Sequence, residues 1–423
     1  MSATDLDGLL PVDRDTPPED VVGAVRAWID DHVPAPWREQ AQRGRPIREV
    51  RTRAEYEAWY PVFGASGLVA PTWPRAYGGL ELSPGTARMV DAELRPLSLG
   101  RLNPLGLNLA APALFAHGSE EQRRRYLPPI VRNEEVWCQL FSEPGAGSDL
   151  ASLSTHAERD GDGWVLSGQK VWNTWAHLAG WAVVLARTDP DVPKRQGITY
   201  FLLDMHQPGV EVRPLRQLTG SAHFSEVFMT DARAEKADLI GRLGQGWEIA
   251  QTTLSYERGG NSLARVTRYT AAFGQLVRAA RALRRDGRPL LDDPRVRARL
   301  GGIYAELEVQ RYAALRVLSA LEKGEGPGPA SSITKLSYSE FEKRYQEVAL
   351  EILGPWGQLT DLLPHDFLEI DTSSGEAGSW AHAFLWSRAG TIYAGSSEIQ
   401  KNVIADRVLQ LPKEPRADRG PGR

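Results

Sequence analysis

The sequence contains one cysteine, Cys138, among its 423 residues, so no disulfide can form within the chain. This composition fits a reducing compartment. No apolar run approaches the roughly 20 residues that a membrane-spanning helix requires. Residues 1–15 are acidic and contain no apolar signal-peptide core. We therefore expect a soluble, cytoplasmic protein that does not bind membranes.

The sequence also lacks a large net charge and the residue clusters typical of metal sites, nucleophilic hydrolases and dinucleotide-binding folds. The formal net charge of −4 gives no general attraction to nucleic acid. The 8 histidines are scattered without a pair at i and i+4 and without a cysteine cluster, so we expect no metal site. No nucleophile-elbow motif is present. Gly241, Gly244 and Gly246 lack the glycine order and the βαβ unit of a dinucleotide-binding turn.

The chain is too long for one ordinary core, and its residue pattern changes twice along its length. Residues 1–135 have helical periodicity, residues 136–240 contain short β-prone runs, and residues 241–411 are helical again. We predict an α+β protein with an N-terminal helical domain, a small antiparallel β domain and a C-terminal domain like a four-helix bundle. The charged, Gly- and Pro-rich residues 412–423 are expected to be a disordered tail.

Local signals place several elements. Thr16 is the predicted N-cap of the first helix, with Pro17 at its first position. Asp293 and Pro294 are predicted to begin a C-terminal helix, because apolar residues follow them at helical spacing. In the middle region, β-prone runs bounded by Gly, Asp and Pro indicate strands; these runs are 164–166, 181–186, 198–203 and 224–229.

Two segments carry residues suited to binding a ligand. Residues 138–149 read CQLFSEPGAGSD, and their glycines let the backbone approach phosphate or flavin oxygens closely. Residues 393–400 read YAGSSEIQ, a loop that opens a helix and offers N–H groups to an anion. A tight turn and an ordinary helix N-cap would also explain these residues. The occurrence of both segments in one chain favours a binding function.

These segments resemble sequences of a known enzyme family. Residues 142–149 and 395–400 resemble the two signatures of the acyl-CoA dehydrogenase family, and residues 168–174 resemble its Trp-x-Thr flavin-contact strand. Residues 74–79 match a further N-terminal motif. The resemblance extends from about residue 59 to residue 411, in the family's order.

The resemblance implies FAD bound between the β domain and the C-terminal helices. It also implies that a base removes the proton alpha to the thioester carbonyl while the beta hydride passes to the flavin. The implied cofactor-binding residues are Ser142, Gly147, Ser148, Trp172, Thr174, Gly354, Ser396 and Glu398. The implied substrate-binding residues are Ser148, Arg258, Ala394 and Gly395.

The chain departs from the family pattern at the base. Most members carry a glutamate immediately before the glycine of the second signature, where this chain has Ala394. A second branch places the base in a Glu-Arg pair on a helix, and Glu257-Arg258 stands at the matching position. The resemblance therefore implies that Glu257 is the catalytic base.

Two further departures concern the pyrophosphate side of FAD. Many members carry an arginine three residues before a Phe-Gly pair, but Thr270 holds that place before Phe273 and Gly274. Arg265 or Arg268 could substitute for it. The family's Gln-x-x-Gly-Gly loop keeps Gly354 here, but begins with Glu351.

The main hypothesis is FAD-dependent α,β-dehydrogenation of an acyl-CoA or carrier-protein thioester in lipid metabolism, with electron-transfer flavoprotein as acceptor. Family members form homodimers or homotetramers, and a heteromer is a further option. One alternative is a non-catalytic partner subunit of a heteromeric dehydrogenase. Another is a flavin oxidase or monooxygenase on the same scaffold. Straight, branched, aromatic and sterol-derived acyl groups all remain open.

Overall fold

The structure is a computed structural model of the chain, and it describes residues 8–44, 47–259, 262–323, 330–359, 369–371 and 377–412. Of the expected disordered tail, residues 413–423 lie outside this description. The chain divides into two compact units. The first holds the chain to Leu215 and Ala222–Thr253, and the second holds Arg216–Ser221 and the chain from Leu254.

The first unit begins with helices that bury one apolar face each. They are α1 (Pro18–His32), α2 (Ala35–Gln42), α3 (Arg53–Ala65), α4 (Pro84–Leu94), α5 (Ala111–His117) and α6 (Glu120–Arg132). The expected N-cap of α1 is wrong. Pro17 caps α1, without a side-chain hydrogen bond, because the Thr16 hydroxyl instead bonds the Asp13 carboxylate at 3.1 Å.

The middle of the chain forms a sheet in the first unit. Its strands are β1 (Trp137–Leu140), β2 (His156–Asp160), β3 (Gly163–Thr174), β4 (Trp181–Arg187), β5 (Ile198–Asp204), β6 (Val210–Leu215), β7 (Phe224–Ala234) and β8 (Leu239–Ile240). The order is β6-β7-β3-β2-β4-β5-β8, with β1 beside β4. Most pairs are antiparallel, as expected, whereas β1–β4 and β2–β4 are parallel.

The side chains of β4 alternate between two hydrophobic cores, one on each face of the sheet. Val183 and Leu185 face a core shared with the N-terminal helices, whereas Ala182 and Val184 face a core formed by other strands. Successive side chains of a strand point to opposite faces, so both faces of β4 are buried. The central strands are thereby rigid supports for the loops at their ends.

Helices dominate the second unit. The helix α7 (Gly246–Gly259) begins in the first unit, which holds the chain to Thr253. It is followed in the second unit by α8 (Ser262–Ala282), α9 (Pro294–Glu322), α10 (Ala330–Leu353), α11 (Trp380–Ser387) and α12 (Ser397–Val403). Two hairpins join them, β9 (Arg284–Arg285) with β10 (Arg288–Pro289), and β11 (Glu369–Asp371) with β12 (Ala377–Ser379). Asp293 accepts from the Arg295 N–H at 2.8 Å, which agrees with the predicted start of α9.

The expected apolar spacing forms the core of this unit. One buried cluster joins four helices of this unit. It contains Leu276 of α8, Leu300 of α9, Phe341 and Tyr345 of α10, and Trp380 of α11. This packing of helical stripes confirms the predicted helical C-terminal region. Among the described residues, no helix has the length and apolarity needed to cross a membrane.

Candidate active site

The first glycine-rich segment forms a turn directly after β1. Glu143 and Ala146 exchange backbone hydrogen bonds of 3.2 and 3.1 Å, which close the turn. A β-carbon added at Gly145 or Gly147 would meet nothing within 4 Å. Ser148 is exposed as well. The turn therefore presents backbone to open space, as a ligand-binding loop must.

A buried ion pair holds this turn. The Lys170 ammonium, on β3, is fully buried and lies 2.9 Å from the Glu143 carboxylate. It also donates to the carbonyls of Phe141 and Leu185 at 3.1 and 2.8 Å. The same carboxylate accepts from the Ser154 N–H and hydroxyl, both at 2.7 Å, and from the Thr155 N–H at 2.9 Å. The turn is thus fixed to β3, to β4 and to the segment before β2.

The pair is ionised at neutral pH. Burial alone would raise the pKa of Glu143, but Lys170 and the hydrogen bonds from Thr155 and Ser154 outweigh it and lower that pKa to about 2. Burial lowers the pKa of Lys170 to about 8, against the opposing effect of Glu143. Both charges are therefore present between these two values.

The Trp-x-Thr strand is joined to the same turn. The Val171 N–H donates to the Ser142 carbonyl at 2.9 Å. At Trp172 the backbone has φ 63°, where the register between β3 and β7 shifts. This bulge leaves the Trp172 side chain 62% exposed, between the buried Val171 and Asn173. The structure therefore brings the first signature and the exposed Trp172 together on one frame, with Thr174 half-buried on the same strand.

The second signature lies in the second unit, at the start of α12. Ala394 and Gly395 adopt left-handed backbone, with φ of 53° and 87°. Ser396 is the N-cap, and its hydroxyl accepts from the Ile399 N–H at 3.4 Å. Glu398, in the first turn of α12, is exposed. The segment is a helix-opening turn, as expected.

The helix that carries the expected base is anchored in the first unit. Ile249 and Ala250 of α7 are fully buried, and the Thr253 hydroxyl lies 3.2 Å from that of Tyr200 on β5. The helix continues through Glu257 and Arg258. The side chains of these two residues lie outside the described part of the structure.

The Phe-Gly pair of the incomplete Arg-x-x-Phe-Gly pattern lies in a helix. Phe273 and Gly274 lie inside α8, and the Thr270 hydroxyl donates to the Val266 carbonyl of the same helix at 2.9 Å. Arg265 places its guanidinium over the Tyr338 ring, 5.1 Å from the centroid.

A different arginine lies beside Gly354. A β-carbon at Gly354 would be 3.8 Å from Nη2 of Arg285, which is exposed on β9. Gly354 has φ 57°, a left-handed conformation that favours glycine. Glu351 is paired with Arg299 at 3.2 Å. Arg285 was not predicted from the sequence, because its place beside Gly354 depends on the packing of the second unit and not on local spacing.

The chain matches family models over most of its length. The model of the acyl-CoA dehydrogenase N-terminal domain matches residues 19–134, that of the middle domain residues 138–232, and that of the C-terminal domain residues 244–409. The chain is 38% identical to the acyl-CoA dehydrogenase IpdE1 of Mycobacterium tuberculosis over 399 residues. The match covers 94% of this chain and 98% of that protein.

Solved structures agree with these matches. The Tcur3481-Tcur3483 steroid ACAD superposes with a TM-score of 0.74 at 27% identity, over 94% of this chain and 98% of that chain. The ChsE4-ChsE5 complex from Mycobacterium tuberculosis gives 0.73 at 25% identity, over 94% of this chain and 99% of that chain. The second of these is named as a complex.

Removing one partner of the buried ion pair tests its role. Glu143→Gln leaves the Lys170 ammonium buried without its counter-charge, so we expect a loss of about 3–5 kcal/mol in the free energy of unfolding at pH 7. Urea denaturation measures it. Glu158→Gln, at an exposed site on β2, is the matched control and should change stability by less than about 0.5 kcal/mol.

The same experiment has a pH dependence with a defined sign. Folding lowers the pKa of Glu143 from 4.5 to about 2, so its contribution is complete above pH 4.5 and is lost as the pH falls towards 2. The difference between wild type and Glu143→Gln should shrink over that interval. Equal denaturation midpoints at pH 7 would contradict the proposed role of the pair.

Proposed function

This chain belongs to the acyl-CoA dehydrogenase family, and we propose that it oxidises a bulky acyl-CoA thioester with FAD as cofactor and Glu257 as base. As a family member it is a flavoprotein oxidoreductase acting on the CH–CH group of acyl-CoA substrates. The observation that carries the proposal is the frame of the first signature and Trp172, held rigidly by the Glu143–Lys170 pair.

The residues of this frame fit a flavin. A flavin ring can stack on an aromatic side chain, and Trp172 is exposed although indoles are usually buried. Open space at Gly145 and Gly147 admits a bulky ligand against the backbone. In the proposal, the residues that contact FAD are those implied by the family resemblance: Ser142, Gly147, Ser148, Trp172, Thr174, Gly354, Ser396 and Glu398. FAD, when bound, supplies the hydride acceptor.

Proton removal needs a base and a donor to the thioester carbonyl. Ala394 has no titratable side chain, so the α-proton must go to another residue, and Glu257 stands at the position of the family's alternative base. The backbone N–H of Ala394 remains available to stabilise the enolate oxygen. Gly395 and Ser148 are proposed beside the thioester, and Arg258 beside a CoA phosphate.

The substrate class is proposed from the named relatives. A solved structure with 27% identity over 94% of this chain is described as a steroid ACAD, which favours a steroid-derived, ring-bearing acyl group here. One of the matched structures is named as the ChsE4-ChsE5 complex, and another carries the joined name Tcur3481-Tcur3483. We therefore propose that this chain works in an oligomer, either with copies of itself or with a second acyl-CoA dehydrogenase chain, and passes electrons to electron-transfer flavoprotein.

The direct test is the flavin spectrum of the purified protein. We expect bound FAD, and loss of its absorption on mixing with ring-bearing acyl-CoA thioesters faster than with straight-chain ones. Protein that purifies folded but colourless, and does not take up added FAD, would overturn the proposal. The chain would then be the non-catalytic partner subunit.

The identity of the base has its own test. Glu257→Gln keeps the shape of the side chain and removes its basicity, so we expect flavin reduction to slow by about 10² to 10⁴-fold while FAD remains bound. Stopped-flow measurement of flavin reduction gives the rate. Glu248→Gln, at an exposed position of the same helix, is the control and should reduce at the wild-type rate. A near-normal rate in Glu257→Gln would show that another residue is the base.

Arg285 is proposed to take the place of the missing pyrophosphate clamp. Its guanidinium lies beside Gly354, and arginine binds phosphate with paired hydrogen bonds. Family members often make this contact to the FAD of a neighbouring subunit. Arg285 therefore links cofactor binding to assembly in this proposal.

Arg285→Ala should weaken FAD binding by about 10-fold or more, the value of one charge-assisted hydrogen bond. Titration of the apoprotein with FAD measures it, and native mass spectrometry shows whether FAD resides only in oligomers. Arg284→Ala is the control, because the neighbouring side chain on a strand points to the other face and Arg284 bonds the Gly287 carbonyl at 3.1 Å. Equal FAD affinity of both variants would show that Arg285 does not bind the FAD pyrophosphate.

A further inference from the structure

Lys335 of α10 is a buried cation inside the second unit. Only 5% of the residue is exposed, and its ammonium donates to the Gly390 carbonyl at 2.9 Å. The ammonium also lies 5.9 Å from the centroid of the Tyr393 ring. Gly390 and Tyr393 belong to the segment that leads into the second signature, so the cation lies against the residues that precede Ala394.

That segment needs support from its surroundings. Ala394 has a left-handed backbone with φ 53°, a conformation that disfavours residues with a β-carbon. Such conformations persist only where neighbouring structure imposes them. A β-carbon at the buried Gly390 would lie 3.0 Å from the Glu342 carboxylate, so the backbone here packs closely on α10.

Gln400 of α12 supports the other end of the turn. Its amide is fully buried and donates to the carbonyls of Ala394 and Gly395 at 3.0 and 3.2 Å. A β-carbon at Gly395 would be 2.4 Å from the same amide nitrogen, and the φ of 87° there also favours glycine. The turn is therefore held by Gln400 behind Ala394 and by Lys335 before it.

Ala394 and Lys335 also share a pocket. Its lining includes Arg265, Tyr338 and Glu342 together with these two residues. A buried ammonium is costly to desolvate unless its hydrogen bonds compensate. An apolar side chain of similar length would avoid that cost but could not bond the Gly390 carbonyl. The contact with the turn thus explains why a lysine stands here.

We propose that Lys335 is a positioning residue, whose hydrogen bond to the Gly390 carbonyl fixes the turn that presents the Ala394 N–H to the thioester carbonyl. This inference rests on the proposed function. A hydrogen-bond donor stabilises a developing oxyanion only when it is held in place before the reaction. Lys335 acts through the backbone of residues 390–394 and does not itself take up a proton.

The first test needs no substrate. In Lys335→Met the amides of residues 390–396 should exchange hydrogen about tenfold faster than in wild type, the effect of losing one hydrogen bond to a charged group. Lys323→Met, an exposed lysine at the end of α9, should not change this exchange. A denaturation curve identifies general destabilisation, which would instead accelerate exchange throughout the second unit.

The second test is kinetic and uses the assembled, FAD-loaded enzyme. Lys335→Met should lower kcat by about 10- to 100-fold, with KM changed much less and the shape of the pH profile retained. Lys335→Arg keeps the charge and the donors and should recover part of the rate. A pH profile that loses a titration in Lys335→Met would show that Lys335 transfers protons, which overturns the positioning role.

The two proposals fail in different ways. If wild type binds no FAD or is reduced by no thioester, the proposed function fails, and hydrogen exchange still decides whether Lys335 holds the turn. If wild type is active and Lys335→Met exchanges and reacts like wild type, the positioning role is wrong. Local loosening of residues 390–396 with a selective loss of kcat supports it.

Discussion

The ion pair between Glu143 and Lys170 is the constraint on which the first signature depends. Both charges are withdrawn from water. The ammonium bonds the carbonyls of Phe141 and Leu185, and the carboxylate bonds the ammonium and the segment before β2. An apolar pair of equal volume could match its stability. It could not bond the Phe141 carbonyl, and the path of the chain into the glycine-rich turn would be left undetermined.

The effect of this pair extends along β3. Lys170 is fixed by the pair, and the strand bulges immediately after it, with Trp172 in left-handed backbone and its indole exposed. A bulge re-aims a side chain without moving the rest of the sheet. Because Val171 bonds the Ser142 carbonyl, the exposed ring and the turn share one support. A rigid frame of this kind suits a ligand that must meet both at once.

The second signature is held by the same physical means. A buried lysine bonds a backbone carbonyl before the turn, as Lys170 bonds the Phe141 carbonyl before the first signature. Lysine is effective here because its long stem reaches through apolar surroundings and its ammonium carries three donors. Each signature thus combines a flexible sequence, rich in glycine and serine, with a rigid cation beneath it.

The sequence allowed prediction of the order of regions, the apolar stripes of α9 and α10 and the positions of both signatures, because these depend on local spacing. It did not allow prediction of the contacts that support the signatures. Lys170 and Lys335 each stand in an otherwise regular strand or helix, and nothing local distinguishes a buried lysine from a solvated one. Arg285 was missed for the same reason, since its proximity to Gly354 arises from the packing of the second unit. The predicted N-cap of α1 was wrong because Asp13 and Thr16 form a local hydrogen-bonded turn, which competes with capping by Thr16.

The alanine at position 394 gains a meaning from these supports. A glutamate at this place would have to serve as base and, through its backbone, as oxyanion donor, so any movement that delivers the carboxylate would also move the N–H. With Ala394 the turn has only the second task in the proposed reaction, and the contacts from Lys335 and Gln400 can hold it without compromise. Proton removal then falls to Glu257 on α7, a helix anchored independently through Ile249, Ala250 and Thr253. Dividing the two tasks lets each group be rigid, which is the condition under which a fixed donor lowers the barrier to enolate formation.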